Sequence, residues 1–332
     1  MAEAACEGTL GKLVAVLFSP ASYFSVASLT IAFLVAAAVY LAKRPRSGLG
    51  AAFSRAVPRL SRLTGRSGRT DAGYFLFNLL IAGALFGWAV VSADRVSEAV
   101  GSILSLTWRT HGLIRAPGWV MTSVLALSSF LVYEFAYWLD HYISHRMPFF
   151  WAFHRAHHTA EALSPLTVYR VHPIDGVKFA NILAASLGIA GGVVAWALGS
   201  PCKPLAPHNA ITLVFVYLVV HLQHSHVWLT FPGVWGKIFM SPAQHQLHHS
   251  SDPEHYGKNL GGCLSIFDTI FGTLLVADQR RPTLTFGADR VAGGCRGLMR
   301  SLADPFVEVA EAMRPRRASV SVLEVPANAS EV

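Results

Sequence analysis

The sequence predicts an all-α fold: a polytopic membrane helical bundle of about four to five spans, with a cytoplasmic helical cap that holds a histidine-rich dimetal site. Three observations lead to this prediction. Only 14% of the 332 residues are charged, whereas about 25% are charged in typical soluble proteins. Five stretches approach the length and apolarity of membrane spans. Finally, 12 of the 15 histidines fall within residues 141–158, 221–226 and 245–255.

The predicted spans follow from runs without charged residues. A membrane helix needs about 20 mostly apolar residues. Of the five stretches, only one contains an Asp, Glu, Lys or Arg, and that residue is Glu134. Prolines at 201, 204 and 207 predict a helical hairpin between the last two spans. The five predicted spans cover residues 22–42, 74–93, 119–139, 179–199 and 209–231.

Basic residues set the expected orientation. The linker 43–73 carries eight Lys or Arg residues against the single acid Asp71. Because cytoplasmic loops carry an excess of basic residues, we expect this linker, residues 140–178 and everything after residue 232 on the cytoplasmic side. Residues 94–118 are then expected outside. All three histidine-rich windows would meet at the cytoplasmic face.

The net charge of +8 fits this rule and attraction to anionic lipid headgroups. We therefore expect no nucleic-acid partner. The four cysteines form no CxxC motif, so neither a disulfide framework nor a cysteine-based zinc site is predicted. The predicted spans favour an integral, multi-pass membrane protein, and the Ala- and Arg-rich composition favours a bacterium, which would make the membrane the bacterial inner membrane.

The histidine spacings indicate metal binding. His141 and His145 are four residues apart, which places both on one face of a helix. Two HxxHH boxes follow, and we expect the three histidines of each box to converge on one helical face. His221 and His224 lie three residues apart in the last predicted span. The predicted metal ligands are His141, His145, His154, His157, His158, His221, His224, His245, His248 and His249.

This set exceeds the needs of one tetrahedral ion and suffices for two ions with four or five ligands each. Imidazole suits iron, zinc, copper and nickel. No HExxH motif is present, so a zinc protease of that type lacks its general base. Asp140, His172 and Asp252 are candidates for orienting the ligands, although solvated carboxylates are the alternative for the two acids. His226 and His255 are weaker candidates, and the isolated His111 and His208 are expected to be packed or solvated.

The boxes and the words around them resemble the fatty acid hydroxylase / sterol desaturase superfamily of membrane di-iron enzymes. The similarity covers residues 119–277 and departs from the pattern at His226 and Gly257. Besides the boxes, it rests on YRVHP (169–173), QHS (223–225), SPAQHQLHHS (241–250), YGKN (256–259) and LSIFDTIFGT (264–273).

The resemblance implies two iron ions as the catalytic centre, dioxygen as cosubstrate and a membrane lipid as substrate. No dinucleotide-binding or haem motif is present, so electrons are expected from an external NAD(P)H-dependent reductase through a ferredoxin or a cytochrome b5-like electron-transfer protein. The expected organisation is an extra span and basic linker (1–73), an oxygenase core (74–277), and a C-terminal segment (278–332). This last segment should contain an amphipathic helix near 296–313 and a flexible tail.

The leading expectation is hydroxylation of an unactivated C–H bond. Box spacing does not separate this reaction from that of a lipid or sterol desaturase or a C-methyl oxidase of the same family. Sterols, fatty acyl chains, sphingoid bases, alkylglycerol ethers, carotenoids and aminolipids all remain possible substrates. A histidine-rich metal transporter would instead spread its ligands along a transmembrane path with acids in the spans. In this sequence Glu134 alone interrupts the predicted spans.

Overall fold

Helices dominate the computed structural model, which describes residues 2–20, 22–57, 60–108, 117–199, 203, 205–206, 209–288 and 296–313. Two isolated β-bridges are its β-structure among these residues. The prediction of an all-α fold is therefore confirmed. The α-helices are α1 (Ala2–Phe18), α2 (Val26–Lys43), α3 (Leu49–Ala56), α4 (Leu60–Thr64), α5 (Arg66–Phe77), α6 (Gly83–Phe86), α7 (Ala93–Thr107), α8 (Gly118–Arg146), α9 (Pro148–His158), α10 (Pro173–Leu198), α11 (Ala210–Phe215), α12 (His221–Gln223), α13 (Trp235–Ile238), α14 (Pro242–His248), α15 (Ile266–Phe271) and α16 (Leu298–Met313).

Four helical runs are long and apolar enough to cross a membrane. Three are the single helices α2, α8 and α10, and they contain most of three predicted spans. The fourth is Arg66–Thr107, which joins α5, α6 and α7 through a π-helical turn and a 3-10 turn and is interrupted at residues 90–92. This run continues past the predicted end of its span at residue 93, so a helix occupies much of the predicted outer loop 94–118.

Glycines explain why α7 packs closely along α10. A Cβ atom at Gly188 would lie 2.7 Å from the carbonyl oxygen of Ala93, and one at Gly192 would lie 2.6 Å from that of Ser97. Small residues of this kind allow helix backbones to approach each other within a membrane. The order of these contacts shows that the two helices run in the same direction.

The fifth predicted span, 209–231, is wrong in its length. Helical structure covers only Ala210–Gln223, in which α11 and α12 flank a π-helical turn. Helix ends there because His224 adopts φ −100° and ψ 58°, which turns the chain toward the other histidines. The prolines of the expected hairpin loop, together with His111 and His208, lie outside the described residues.

The N-terminal segment runs alongside the core. Between α1 and α2 the chain leaves helical geometry near Ser19–Ser25, and the side chain of Ser25 then caps α2 by accepting from the N–H of Ser28. The hydroxyl of Tyr217 donates to the carbonyl of Pro20 at 2.9 Å. This break is therefore tied to the last apolar helix. At the other end of the chain, α16 packs against α9, and the expected flexible tail lies outside the described residues.

A buried ion pair fastens the second apolar run to the region of the histidines. Arg170 is fully buried, and its guanidinium lies 2.9 Å from the carboxylate of Asp71 on α5. The same guanidinium donates to the carbonyl of Ala156 and to the hydroxyl of Thr159 at the end of α9. One cation thus fixes the position of α9 relative to α5, because a buried charge of this kind is stable only while it is paired.

Candidate metal centre

Nine of the ten predicted ligands come together in two groups. The nine residues come from the end of α8, from α9, from the turn after α12, and from α14 with the residue that follows it. Within each group, one possible ligand atom from every residue lies within 4.8 Å of those of the others. The first histidine group is His141, His145, His154, His158 and His248, and the second is His157, His224, His245 and His249.

The two HxxHH boxes are each divided between the groups. In α9, His154 and His158 are four residues apart and join the first group, whereas His157 joins the second. In the later box the outer pair, His245 and His249, joins the second group and His248 the first. The expectation that each box converges on one face is therefore wrong. Residues four apart share a face, but neighbouring residues are rotated by about 100° around the helix.

Hydrogen bonds orient three rings of the first group. The Nδ1 atoms of His141 and His248 lie 2.8 Å from the carbonyl oxygens of Leu260 and Lys258, respectively. Nδ1 of His154 lies 2.9 Å from the carboxylate of Asp175. Because a carbonyl or carboxylate only accepts, the ring proton is held at Nδ1 and the Nε2 lone pair is left free.

The Nε2 atoms of the first group have no hydrogen-bond partner among the residues that the structure describes. In all five residues of the first group, Nε2 is buried without a hydrogen bond among the described residues. Buried polar atoms are normally satisfied, so five such atoms converging on one place call for an explanation. A bound cation would satisfy all five.

The second group is more compact. Nε2 of His224 lies 3.3 Å from that of His157, 3.2 Å from that of His245 and 3.0 Å from that of His249. One N–H can satisfy only one such contact. Four nitrogens about 2.1 Å from one ion in a tetrahedral site would be separated by roughly 3.4 Å. The observed spacing fits that arrangement.

The electrostatic environment keeps the rings neutral. Burial, together with the neighbouring histidines, holds the pKa values of His157, His158, His245 and His249 well below their ordinary range. Burial lowers the pKa of His248 to about 3. At neutral pH these residues are therefore uncharged, and neutral imidazole is the form that binds a metal ion.

The loop that follows α14 positions two of the ligands through its backbone. It supplies the carbonyls of Lys258 and Leu260 and is held by two buried carboxylates. Asp268 accepts from the N–H groups of Leu260 and Gly261 at 2.8 and 2.9 Å. Glu134 accepts from those of Cys263 and Leu264 at 2.7 and 2.8 Å. Glu134, the only described acid within a predicted span, therefore stabilises the loop whose carbonyls orient His141 and His248.

The remaining predicted site residues are Asp140, His172 and Asp252, the candidates for orienting the ligands. Asp140 pairs with Lys178 at 3.2 Å. His172 caps α10, and its Nε2 lies 3.1 Å from the carbonyl oxygen of Leu302. Asp252 caps a short 3-10 turn.

Three further histidines lie outside both groups. Nε2 of His221 lies 3.2 Å from the hydroxyl of Ser28, although His221 was one of the ten predicted ligands. Nε2 of His226 lies 2.7 Å from the carbonyl oxygen of Arg55. His255 belongs to the 3-10 turn Pro253–His255.

Sequence reasoning missed Asp175 and Lys178. Lys178 bridges the carboxylates of Asp140 and Asp175 at 3.2 and 2.8 Å, and Asp175 in turn holds His154. The available signal was the spacing of Asp175 and Lys178, three residues apart in the first turns of an otherwise apolar helix.

Cavities lie on both sides of the histidine groups. We call the first the chamber: it has a volume of about 250 Å³ and is lined by His141 and His154 of the first group and His157 and His224 of the second. The other, about 370 Å³, is lined by four other histidines together with Trp151, Arg155 and Tyr256. The two groups therefore separate one cavity from the other.

Comparison with known proteins agrees with this architecture. The family model described as fatty acid hydroxylase matches residues 126–273. This segment, slightly less than half of the chain, is similar to the fatty acid hydroxylase superfamily. The match begins within α8 and ends after α15, so it includes all nine clustered histidines. Four apolar helices and this similarity indicate an integral membrane protein. No solved structure matches the chain.

Several curated relatives within this superfamily act on lipids by name. The chain is 29% identical to the alkylglycerol monooxygenase of Caenorhabditis elegans over 42% of its length and 25% of the relative's. It is 27% identical to the human alkylglycerol monooxygenase over 46% of its length and 31% of the relative's. The chain thus spans only a quarter to a third of these two relatives. An ornithine lipid hydroxylase, OlsE of Rhizobium tropici, is 26% identical over 77% of this chain and 72% of its own length.

Proposed function

We propose that this protein is a membrane-bound, di-iron, dioxygen-dependent hydroxylase that inserts a hydroxyl group into an unactivated C–H bond of a lipid. The observation that carries the proposal is the pair of histidine groups bordering one chamber beside the apolar helices. Relatives named as an alkylglycerol monooxygenase and an ornithine lipid hydroxylase support the reaction type.

The nine clustered histidines are the ligands we propose, five for one ion and four for the other. His221 is left out because its ring contacts Ser28 instead. The donor set is entirely nitrogen, which suits iron and excludes the hard cations magnesium and calcium. Bound there, two iron ions would supply the activation of dioxygen that attack on a C–H bond requires.

The protein's own residues would prepare the site in two ways. Asp175 and the two backbone carbonyls hold protons at Nδ1 and aim the Nε2 lone pairs. Val168, Phe179 and Val220 line the chamber and exclude water from it. A dry chamber protects a reactive oxidant from side reactions.

We further propose that the histidine groups lie at the cytoplasmic face, where soluble electron donors are available. The basic linker supports this orientation, since Lys43 contacts the carbonyl of Trp228 and the carbonyl of Arg55 contacts His226 near the same end of the bundle. An external NAD(P)H-dependent reductase, acting through a ferredoxin or a cytochrome b5-like carrier, would deliver electrons. The carrier would approach the histidine groups from the side of the cavity lined by Trp151 and Arg155.

The proposal is tested by metal analysis and lipid mass spectrometry. Protein purified from iron-replete cells should contain about two iron ions per chain, the number that two His sites can hold. His248→Ala should lower that number and abolish the product, whereas His255→Ala should leave both unchanged, because His255 belongs to neither group. Lipids from a deletion strain and its complement should differ by the mass of one oxygen atom. A loss of two hydrogens instead would indicate desaturation, and iron-free protein with full product formation would refute a di-iron site.

A further inference from the structure

A further cavity adjoins the chamber; it is distinct from the cavity lined by Trp151 and Arg155, and we call it the second cavity. It has a volume of about 280 Å³ and is bordered by Phe24, His221 and Leu222. Tyr23 and Gln223, which immediately flank these residues in sequence, line the chamber instead. The two cavities are therefore neighbours, separated by the segment that contains Phe24 and by the end of the last apolar helix.

Aromatic rings form the partition between the cavities. The ring centroid of Phe24 lies 5.6 Å from that of Tyr169 and 6.4 Å from that of His221, both in edge-on geometry. His221 is held in place by its contact with Ser28. This partition accounts for a buried histidine that belongs to neither metal group.

The second cavity exists because α2 presents small residues to it. Ala32 and Ala36 lie one turn apart on α2, are buried, and line the cavity together with Leu163 and Leu166. All of α2, including these alanines, lies outside the family match at residues 126–273. This wall therefore lies outside the segment that matches the family model.

We propose that an unbranched hydrocarbon chain of the lipid substrate extends from the chamber past Phe24 into this second cavity, so that the N-terminal segment selects the chain length. The proposal rests on the proposed function, which makes the chamber the place of reaction. Two cavities of similar size on either side of an aromatic partition fit a slim, flexible chain that passes between the rings, whereas a rigid fused-ring nucleus would need one continuous space. An alkyl chain that moves from the bilayer into an apolar cavity stays in an apolar environment, so the transfer itself does not favour longer chains. Selectivity for chain length therefore depends on how many methylene groups the cavity can hold.

The test uses lipids that stay bound through purification. Full-length protein, prepared with and without iron, is extracted and the chain lengths of its retained lipids are measured by mass spectrometry. Ala36→Leu places three additional carbons in the cavity and should shift the retained chains toward shorter lengths by about three carbons. Ala38→Leu is the matched control, because Ala38 lies on the exposed face of the same helix, and it should leave the distribution unchanged.

Two variants of Phe24 cover the case in which Ala36→Leu does not fold. Phe24→Trp enlarges the partition and should exclude long chains, whereas Phe24→Leu should admit them. Identical distributions for wild type, Ala36→Leu and both Phe24 variants would overturn the proposal. Shifted retention in the iron-free protein, with no oxidised lipid formed by the iron-loaded protein, would refute the hydroxylase assignment but leave the chain cavity standing.

Discussion

Asp175 connects the metal centre to the apolar bundle through two short contacts. Its carboxylate accepts from Nδ1 of His154 at 2.9 Å and pairs with Lys178 at 2.8 Å. It is 6% exposed, so solvent does not replace either partner. A carboxylate in this position fixes the tautomer of the histidine and increases its basicity toward a metal ion.

We expect Asp175→Asn to lower iron affinity and product formation by about 10- to 100-fold, the loss typical of residues that orient a metal ligand. The substitution keeps the shape of the side chain but removes its charge. Iron retained after dialysis against a chelator is the measurement. Asp252→Asn is the control, because Asp252 only caps a 3-10 turn. Equal iron retention by the two variants would show that Asp175 does not support His154.

At the residue scale, the ten histidines predicted from the sequence include the nine that cluster, but the sequence did not reveal that His221 stays apart or how the nine are distributed between the two groups. Spacing identifies His154, His157 and His158 as a box. Their division between the groups depends on where the fold places the α14 box, since His248 joins His154 and His158 whereas His157 joins His245 and His249. Similarly, His221 and His224 have a helical spacing, but the helix ends between them and their side chains part.

At the element scale, the close packing of α7 on α10 provides a sensitive test of the membrane bundle. A Cβ atom at Gly192 would lie 2.6 Å from the carbonyl oxygen of Ser97 and 2.8 Å from Cβ of Val100. Both contacts are with atoms that cannot move without displacing a helix.

Gly192→Ala should therefore destabilise the protein by about 1–3 kcal/mol, the usual cost of overpacking. Gly83→Ala is the matched control, since no atom lies within 4 Å of a Cβ atom there. Removal of a helical glycine should make the control neutral or more stable by up to about 1 kcal/mol. Thermal unfolding in detergent measures both, and a Gly192→Ala midpoint at or above that of Gly83→Ala would contradict the packing described.

Hydropathy predicted where the apolar elements are but not where they stop. The run that begins with α5 passes its predicted end because Ser97 and Gly101 of α7 are buried, which apolarity alone does not reveal. The last predicted span stops early for the opposite reason: the geometry of His224 ends a stretch that is still apolar. In both cases tertiary contacts determine the boundary.

At the scale of the whole molecule, the buried neutral histidines make the metal-free protein sensitive to acid. In the unfolded chain a histidine has a pKa of about 6.5, whereas that of His248 in the fold is about 3. Below the unfolded value the unfolded state binds more protons than the folded state, so stability rises with pH and is lost as pH falls. The window runs from about pH 6.5 downward toward 3.

The metal-free protein should accordingly lose about 1.4 kcal/mol per pH unit for each such histidine as the pH falls below about 6. Unfolding midpoints between pH 7.5 and 5 measure the loss. His248→Phe, which removes one of these groups, should have a shallower dependence on pH. A midpoint that stays constant or rises on acidification would contradict the buried, neutral state of the rings.

The division of each histidine box between the two groups has a consequence for the assembly of the centre. The α9 helix supplies ligands to both groups, and so does the α14 box. An ion bound by the second group therefore also fixes the two boxes that contain His158 and His248 of the first group. These two side chains then lose no further conformational entropy when the other ion binds. Under the linkage of binding events, occupancy of either position must favour the other by the same factor. Titration of the metal-free protein followed by native mass spectrometry should then show chains with no ion and with two, and few with one.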